Sequence, residues 1–208
     1  MIVCVCGLID SGKDTLANYL VESCDFKRES FAESVKDAVS SIFCWDRSLL
    51  EGKTKKSRIW RDQVDEWWSN RLGINNLTPR WVLQHFATDI CRDNLHSDIW
   101  VASLEKKINS TQANIVISDG RFRNEIKSIT DMGGISVRIQ RGDEPIWKND
   151  AILAINGDVD AIDRLDKLNI HCSEWEIFVI DFDYIIYNDG PLDKMFNDMD
   201  SIISNIKK

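Results

Sequence analysis

Short apolar runs alternate along this chain with segments whose hydrophobic residues recur at helical spacing. The first run, residues 1–6, consists largely of valine, isoleucine and cysteine, which is typical of a strand buried on both faces of a parallel sheet. Hydrophobic residues within 16–21 recur at helical spacing and predict a helix from about Asp14. Residues 7–13 must therefore form the turn between this strand and this helix.

Three further apolar runs predict strands in the C-terminal half of the chain. Residues 115–117 form a continuous run, residues 135–139 carry apolar side chains at alternate positions, and residues 184–187 form the last run. Glycines within 132–134 end the helix between the first two of these runs, and an amphipathic helix from Leu192 follows the last. Strands that alternate with helices predict an α/β fold with a mostly parallel central sheet.

The turn after the first strand has the pattern of a phosphate-binding loop. Residues 7–15 read GLIDSGKDT, in which Gly12 lets the backbone approach a phosphate closely and Lys13 brings a positive charge. Asp14 stands where serine or threonine usually ligates magnesium, and Thr15 comes one residue later. A carboxylate at this position can hold magnesium directly or through water, or can face the acceptor. The alternative is a chance match in an ordinary strand-to-helix turn.

A second candidate site follows the strand at residues 115–117. Asp119, Gly120 and Arg121 come at its carboxyl end, where ligands of open parallel sheets bind. An aspartate there can hold magnesium through water, while an arginine contacts phosphate oxygens. The alternative is that Asp119 caps the next helix, predicted from about Asn124, and pairs with Arg121.

The middle of the chain, residues 26–107, is predicted to be mostly helical. It holds these tryptophans: Trp45, Trp60, Trp67, Trp68, Trp81 and Trp100. Most are expected in the core, and some can wall an acceptor pocket by stacking. The basic segment at residues 53–61 is interpreted as a solvated mobile loop, with a nucleic-acid surface as the alternative.

Residues 142–172 contain a stretch, residues 152–168, that is rich in aspartate and small residues. Such an insertion can form a lid that closes over phosphates and excludes water. The alternative is an ordinary surface connection.

Composition narrows the class of protein further. A chain of 208 residues with 43% hydrophobic content fits one domain, residues 1–208, and a net charge of -8 argues against a broad basic surface for nucleic acid. The apolar N-terminal run is too short for a signal peptide or a membrane span, so a cytoplasmic protein with reduced thiols is expected. Cys4 and Cys6 form C-x-C without nearby histidines, which disfavours zinc.

Several segments in shared order resemble the bacteriophage-type deoxynucleoside monophosphate kinases, within the P-loop nucleoside monophosphate kinases. The matching segments are SGKDT (11–15), SFAESVKDAV (30–39), TPRWVLQHFATD (78–89), SDIWV (97–101), SDGRFRNE (118–125), HCSEWE (171–176) and YNDG (187–190). Ala87 stands where the family usually has glycine. The resemblance covers the chain almost end to end.

The resemblance implies a three-layer P-loop kinase fold with a helical acceptor-binding region at about 26–107 and a lid-like insertion at about 142–172. It implies transfer of the γ-phosphoryl group of ATP to a deoxynucleoside monophosphate, with Mg²⁺ bridging the donor phosphates. The expected partners are these two nucleotides and, in one possibility, a second copy of the chain. No nucleic acid and no membrane are expected as partners, and a phage protein of this kind would act in the host cytoplasm.

The expected site residues combine the motif chemistry with this resemblance. The catalytic candidates are Lys13, Asp14 and Arg121, and the metal candidates are Asp14, Thr15 and Asp119. The candidates for the ATP site are Gly7, Ser11, Gly12, Lys13, Thr15, Arg141, Asn188 and Gly190. The candidates for the acceptor site are Asp14, Lys36, Arg80, Gln84, Thr88, Asp89, Arg92 and Arg121.

Two other functions stay open from the sequence. Animal-type phosphomevalonate kinases have a loop similar to SGKD at residues 11–14, so the acceptor could be another phosphorylated metabolite. A nucleotide-binding module without turnover is the second alternative. The combination of Lys13, Asp119 and Arg121 argues against it, because binding alone needs fewer converging charges.

Overall fold

The computed structural model describes residues 1–206 and contains one parallel β-sheet. Its strands in chain order are β1 Ile2–Cys6, β2 Phe26–Glu29, β3 Asn114–Ile117, β4 Ile135–Gln140 and β5 Tyr184–Tyr187. They lie in the spatial order β2-β3-β1-β4-β5, and every neighbouring pair is parallel. The predicted α/β fold with a parallel central sheet is confirmed.

Helices connect the strands and make up most of the middle of the chain. They are α1 Lys13–Ser23, α2 Glu33–Phe43, α3 Arg47–Leu50, α4 Lys55–Arg61, α5 Glu66–Leu72, α6 Pro79–His85, α7 Ile99–Ile108, α8 Arg123–Asp131, α9 Lys148–Ile155, α10 Val159–Lys167 and α11 Leu192–Ile206. A π-helical segment, Phe86–Arg92, follows α6, and 3₁₀ turns form at Cys172–Glu174 and Glu176–Phe178. None of the helices in residues 1–206 combines the length and apolarity needed to cross a membrane.

The chain forms two compact units. The sheet unit combines Met1–Ser30 with the chain from Ile108 onward, and the helical unit is Phe31–Lys107. The region at about 26–107 was expected to be mostly helical, and its first residues, Phe26–Glu29, form β2 in the sheet unit. This strand has one apolar residue in four, and it forms by pairing with β3 at the edge of the sheet.

The sheet unit is layered as the hydrophobic pattern predicts. Val3 and Val5 of β1 belong to a core cluster with Leu20 of α1 and Met195 and Met199 of α11. The residues between them, Cys4 and Cys6, point to the opposite face by strand alternation, and α8 packs against β1 and β4. Each fully buried large side chain of this kind stabilises the fold by about 1.5–3 kcal/mol.

The helical unit has its own aromatic core. Trp45 and Trp100 are buried there and Trp60 and Trp68 are partly buried, together with residues from α2, α3 and α6. Trp45 Nε1 donates a hydrogen bond to Asp65 Oδ2 at 2.8 Å, so its polar edge is satisfied inside the core. Most of the tryptophans are core residues as expected.

Two segments for which the sequence left alternative structures open are helical. The basic segment 53–61 is not a mobile loop, because Thr54 and Ser57 form a capping box that starts α4. The lid-like segment contains α9 and α10, which pack on each other. Its small core includes Ala151, Ala161 and Leu165, so this segment is an ordered helical hairpin.

Candidate active site

The phosphate-binding pattern lies in the turn between β1 and α1, as the sequence predicts. Asp10 and Gly12 have left-handed backbone conformations, with φ of 62° and 102°, and Ser11 N donates to Leu8 O at 3.2 Å. Left-handed residues in a turn bring successive amides to one side and create an anion-binding concavity. Gly12 is also the N-cap of α1, so the helix dipole adds positive potential at the same place.

The loop is packed too closely for side chains at its two glycines. A Cβ atom on Gly7 would lie 2.3 Å from Ser11 Oγ, and one on Gly12 would lie 2.5 Å from Asn188 Nδ2. Asn188 is buried and donates from Nδ2 to Ser11 O at 2.9 Å. Asn188 was expected near the donor nucleotide, and its side chain holds the loop backbone itself.

Three side chains of the loop and of the first turn of α1 offer groups to a phosphate or a metal ion. Lys13 Nζ donates to Leu8 O at 3.1 Å, so the ammonium group lies across the loop. Ser11 Oγ is buried and has no hydrogen-bond partner among residues 1–206. Thr15 is exposed in the first turn of α1. A lysine, an unpaired buried hydroxyl and a glycine cradle together fit the phosphates of a nucleotide.

Asp14 is the centre of a small polar cluster at the start of α1. The Arg28 guanidinium contacts both Asp14 Oδ1 and Ser118 Oγ, and Ser118 Oγ donates to Asp14 Oδ1 at 3.0 Å. Arg28 Nη1 also donates to Asn18 Oδ1 at 2.8 Å. The Asp14 side chain is 65% exposed, so a ligand can reach it.

The second predicted carboxylate lies at the end of β3. Asp119 Oδ2 accepts a hydrogen bond of 2.6 Å from Ser30 Oγ. The first amides before α8 are taken by another group, since the Glu125 carboxylate accepts from Arg121 N at 2.8 Å and from Phe122 N at 3.2 Å. Glu125 therefore satisfies these two amides at the start of α8, and the role of Asp119 stays a prediction.

Arg121 does not pair with Asp119. Its guanidinium contacts the Glu174 carboxylate and donates to Ser173 Oγ at 3.2 Å. The alternative in which Asp119 and Arg121 simply neutralise each other is therefore wrong. A guanidinium that lies 42% exposed and shares its charge with one carboxylate keeps donors for phosphate oxygens.

These groups line one cleft in the sheet unit. Its walls include Gly7 and Lys13 of the loop, Asp119 and Arg121 from the end of β3, and Glu174. The cleft therefore brings Lys13 of the first motif together with Asp119 and Arg121 of the second. Charges of both signs at the carboxyl end of parallel strands suit a phosphorylated ligand with a metal ion.

The floor of this cleft includes Cys6, which lies beside Cys4 with the two sulfur atoms 3.7 Å apart. The hydrogen bond with Cys6 and burial raise the pKa of the Cys4 thiol well above its usual value. This thiol therefore stays protonated near neutral pH and packs as an apolar group.

Two further candidates for the donor site, Arg141 and Gly190, come after β4 and β5. Arg141 is exposed at the end of β4, and its Nη1 lies 3.5 Å from Asp10 O. Gly190 is exposed in the turn after β5, and the preceding residue, Asp189, accepts from Gly142 N at 2.6 Å. Arg141 thus reaches the phosphate loop, as its assignment to the donor site requires.

The remaining acceptor candidates belong to the helical unit, and their role stays a prediction. Lys36 Nζ donates to Glu51 Oε2 at 2.9 Å, and Arg80 pairs with Asp62. The others are exposed Gln84 of α6, half-buried Thr88 and Arg92, and exposed Asp89, which pairs with His85. Thr88, Asp89 and Arg92 fall in the π-helical segment, a distortion that is frequent at functional sites.

Glu51 is expected to make the stability of the helical unit depend on pH. Partial burial alone would raise the pKa of Glu51. Hydrogen bonds and charges from Lys36 and Arg47 outweigh this effect and lower the pKa to about 2. Such a carboxylate stabilises the fold fully above its unfolded pKa, and this contribution is lost as the pH falls from about 4.5 toward about 2.

Glu51→Gln should therefore lower the free energy of unfolding by about 1–2 kcal/mol at neutral pH, after allowance for solvent screening. Urea denaturation measures this difference across the pH range. The difference in free energy of unfolding between wild type and variant should be largest at about pH 7 and decrease steadily below about pH 5. A difference that is equal at neutral and acidic pH would show that the ion pairs do not stabilise the unit.

The donor set fits magnesium bound through few protein ligands. Within residues 1–206, no cluster of three or more histidine, cysteine or acidic side chains could hold a metal ion by itself. Magnesium usually takes one or two protein carboxylates, with substrate phosphates and water as its other ligands. Asp14 and Asp119 meet that requirement.

Sequence reasoning did not single out several residues of the site, among them Arg28, Ser118 and Glu174. Arg28 belongs to the polar strand β2, whose segment FKRE has no buried-strand pattern. Ser118 comes directly after β3, and its place between an apolar run and Asp119 was a usable signal. Glu174 lies 53 residues from Arg121, and the resemblance of residues 171–176 was the one pointer to it.

Comparison with known proteins places the sequence in a family. No family model matches it. A protein of Acanthamoeba polyphaga mimivirus named "Putative deoxynucleotide monophosphate kinase" is 31% identical over 145 residues, which are 63% of this chain and 69% of the viral protein. The chain belongs to the family of this viral protein. Membership in that family agrees with the P-loop kinase fold predicted from the sequence.

Two solved kinase structures align over nearly the whole chain at low similarity. Shikimate kinase from Aquifex aeolicus is 13% identical with a TM-score of 0.44, over 100% of this chain and 98% of that one. Dephospho-CoA kinase from Campylobacter jejuni is 18% identical with a TM-score of 0.47, over 99% and 96%. At these TM-scores the likeness carries no argument about activity.

Proposed function

We propose that the protein is a deoxynucleoside monophosphate kinase that converts ATP and a deoxynucleoside monophosphate into ADP and the diphosphate. The observation that carries this proposal is the cleft in which Lys13, Asp119 and Arg121 converge beside the phosphate loop. The name of the viral relative supports the nucleotide acceptor. A module that only binds nucleotide has no need of three converging charges at one sheet edge.

The reaction asks the protein mainly for positioning and for stabilisation of charge. An oxygen of the acceptor phosphate attacks the γ-phosphorus of ATP, and the bond from that phosphorus to the bridging oxygen breaks, so ADP leaves with the electron pair. Lys13 and the amides of the loop bind the donor phosphates. Arg121 stabilises the equatorial oxygens of the transferring group, and Arg141 contacts the donor from the end of β4.

Magnesium, when bound, neutralises charge on the donor phosphates. Asp14 and Asp119 are the residues proposed to hold it, directly or through water, with Thr15 as a further oxygen ligand. Asp14 is accessible and already held by two neighbours, and Asp119 is oriented by Ser30. Both carboxylates are therefore supported by neighbouring donors.

The helical unit is proposed to bind the acceptor, and the α9–α10 hairpin to exclude water. The first role is proposed for Lys36, Arg80, Gln84, Thr88, Asp89 and Arg92. A kinase needs such protection, because an open site would transfer the phosphoryl group to water.

An acceptor panel tests this function. The protein is incubated with ATP and magnesium, separately with each deoxynucleoside monophosphate, each ribonucleoside monophosphate, phosphomevalonate or no acceptor, and products are separated by anion-exchange chromatography. A deoxynucleoside diphosphate that forms in step with ADP supports the proposal and names the preferred base. Three results would each reject the proposal. They are formation of mevalonate diphosphate from phosphomevalonate as the one product, ADP formed at the same rate whatever the acceptor, and no ADP with any acceptor.

A further inference from the structure

Two donors contact one carboxylate oxygen of Asp14, Oδ1, and the other oxygen, Oδ2, is accessible to a ligand. Arg28 and Ser118 both contact Oδ1 of Asp14. Oδ2 has no hydrogen-bond partner among the described residues, 1–206. An exposed aspartate at the first turn of a helix otherwise samples several rotamers, so two donors on one oxygen define where the second oxygen points.

The packing of α1 explains how a side chain on β2 reaches Asp14. Arg28 lies on β2, the edge strand next to β3. Because α1 contacts β2 as well as β1 and β3, a long side chain on β2 can reach the first turns of this helix. Arg28 does so with its guanidinium anchored on both sides, on Asn18 through Nη1 and on Asp14 and Ser118 through Nη2.

The same strand end also supports the second carboxylate. Ser30, two residues after Arg28, donates to Asp119 Oδ2 at 2.6 Å. Residues two apart in an extended segment share a face, so the end of β2 delivers one donor to each of the two acidic residues of the site. This places the edge strand in the support of both carboxylates.

We propose that Arg28 is the positioning residue of Asp14, and that with Ser118 it presents Asp14 Oδ2 to the magnesium ion of the bound nucleotide. The inference rests on the proposed function. In this role Arg28 acts through Asp14 and does not contact the nucleotide itself. Lysine cannot replace it fully, because one ammonium group lacks the planar fork that spans Asn18 and Asp14.

A binding experiment without turnover tests this role. The affinity of Mn²⁺ for the protein–ADP complex is measured by the electron paramagnetic resonance signal of free Mn²⁺, for wild type and for Arg28→Gln, Arg28→Lys, Asp14→Asn and Arg28→Gln/Asp14→Asn. Arg28→Gln and Asp14→Asn should each weaken Mn²⁺ binding by about tenfold, with Arg28→Lys between Arg28→Gln and wild type. The double variant should be within about twofold of Asp14→Asn.

Lys127→Gln is the matched control, since it removes one positive charge from an exposed pair with Asp131 on α8. Circular dichroism shows whether each variant is folded, and Arg28→Lys keeps the test decisive if Arg28→Gln does not fold. The proposal is overturned if the folded Arg28 variants bind Mn²⁺ as tightly as wild type. It is also overturned if Arg28→Gln weakens Mn²⁺ binding as much in the Asp14→Asn background as it does in wild type. Because no acceptor is present, this result is separate from the outcome of the acceptor panel.

Discussion

Lys13→Ala should lower the rate of phosphoryl transfer by about 10³-fold, equivalent to about 4 kcal/mol of lost transition-state stabilisation. Lys13 is the cation of the phosphate loop and lines the cleft with Asp119 and Arg121. Among residues 1–206 the ammonium group of Lys13 donates one hydrogen bond, to Leu8 O of the loop itself. The fold should therefore survive the substitution while charge stabilisation in the transition state is lost.

The measurement is kcat for diphosphate formation at saturating ATP and acceptor, alongside the thermal midpoint of unfolding. Lys127→Ala serves as the control, because that ammonium group pairs with Asp131 on the surface of α8 and lies outside the cleft lining. The control should keep kcat within about twofold of wild type. A folded Lys13→Ala protein with nearly normal kcat would mean that the loop does not carry the reaction.

Gly12→Ala should weaken nucleotide binding by about 10²-fold, because it displaces the loop that cradles the phosphates. Gly12 has a φ of 102°, which a residue with a Cβ adopts at a cost of about 1–3 kcal/mol. The added methyl carbon would also lie 2.5 Å from Nδ2 of buried Asn188. Relief of that clash breaks the hydrogen bond from Asn188 to Ser11 O and moves the loop.

Two comparisons separate backbone strain from the clash, with ATP affinity measured by isothermal titration calorimetry. Gly133→Ala places a methyl group at a φ of 78° with no atom within 4 Å, so it should cost about 1 kcal/mol of stability and leave affinity unchanged. Gly12→Ala/Asn188→Ala removes the clash but keeps the strain, and should regain part of the affinity. Wild-type affinity in Gly12→Ala would contradict the close packing of the loop.

Four strands could be predicted because each contains a continuous or alternating run of apolar residues. The runs within 1–6, 115–117, 135–139 and 184–187 all lie in strands of the sheet. The edge strand β2 could not be found this way, since its segment FKRE buries Phe26 and Glu29 and leaves Lys27 exposed. Its structure depends on hydrogen bonds to β3, which no local pattern encodes.

The phosphate loop was predictable for a related reason. Its function depends on consecutive residues, in particular Gly12 and Lys13, whose conformation follows from the strand before them and the helix after them. The partners of the site depend instead on strand order. Asn188 lies 177 positions from Ser11, and these two residues meet only because β5 and the loop after β1 end at the same edge of the sheet.

An isotope-transfer experiment tests the central claim most directly. The protein is incubated with ATP labelled with ¹⁸O on the γ-phosphoryl group, with magnesium and with the deoxynucleoside monophosphate preferred in the acceptor panel, and products are analysed by mass spectrometry. The proposed reaction places the label in the β-phosphoryl group of the deoxynucleoside diphosphate, in amounts equal to ADP. Label found in inorganic phosphate alone, with the acceptor unchanged, would contradict it and identify the protein as a hydrolase of ATP.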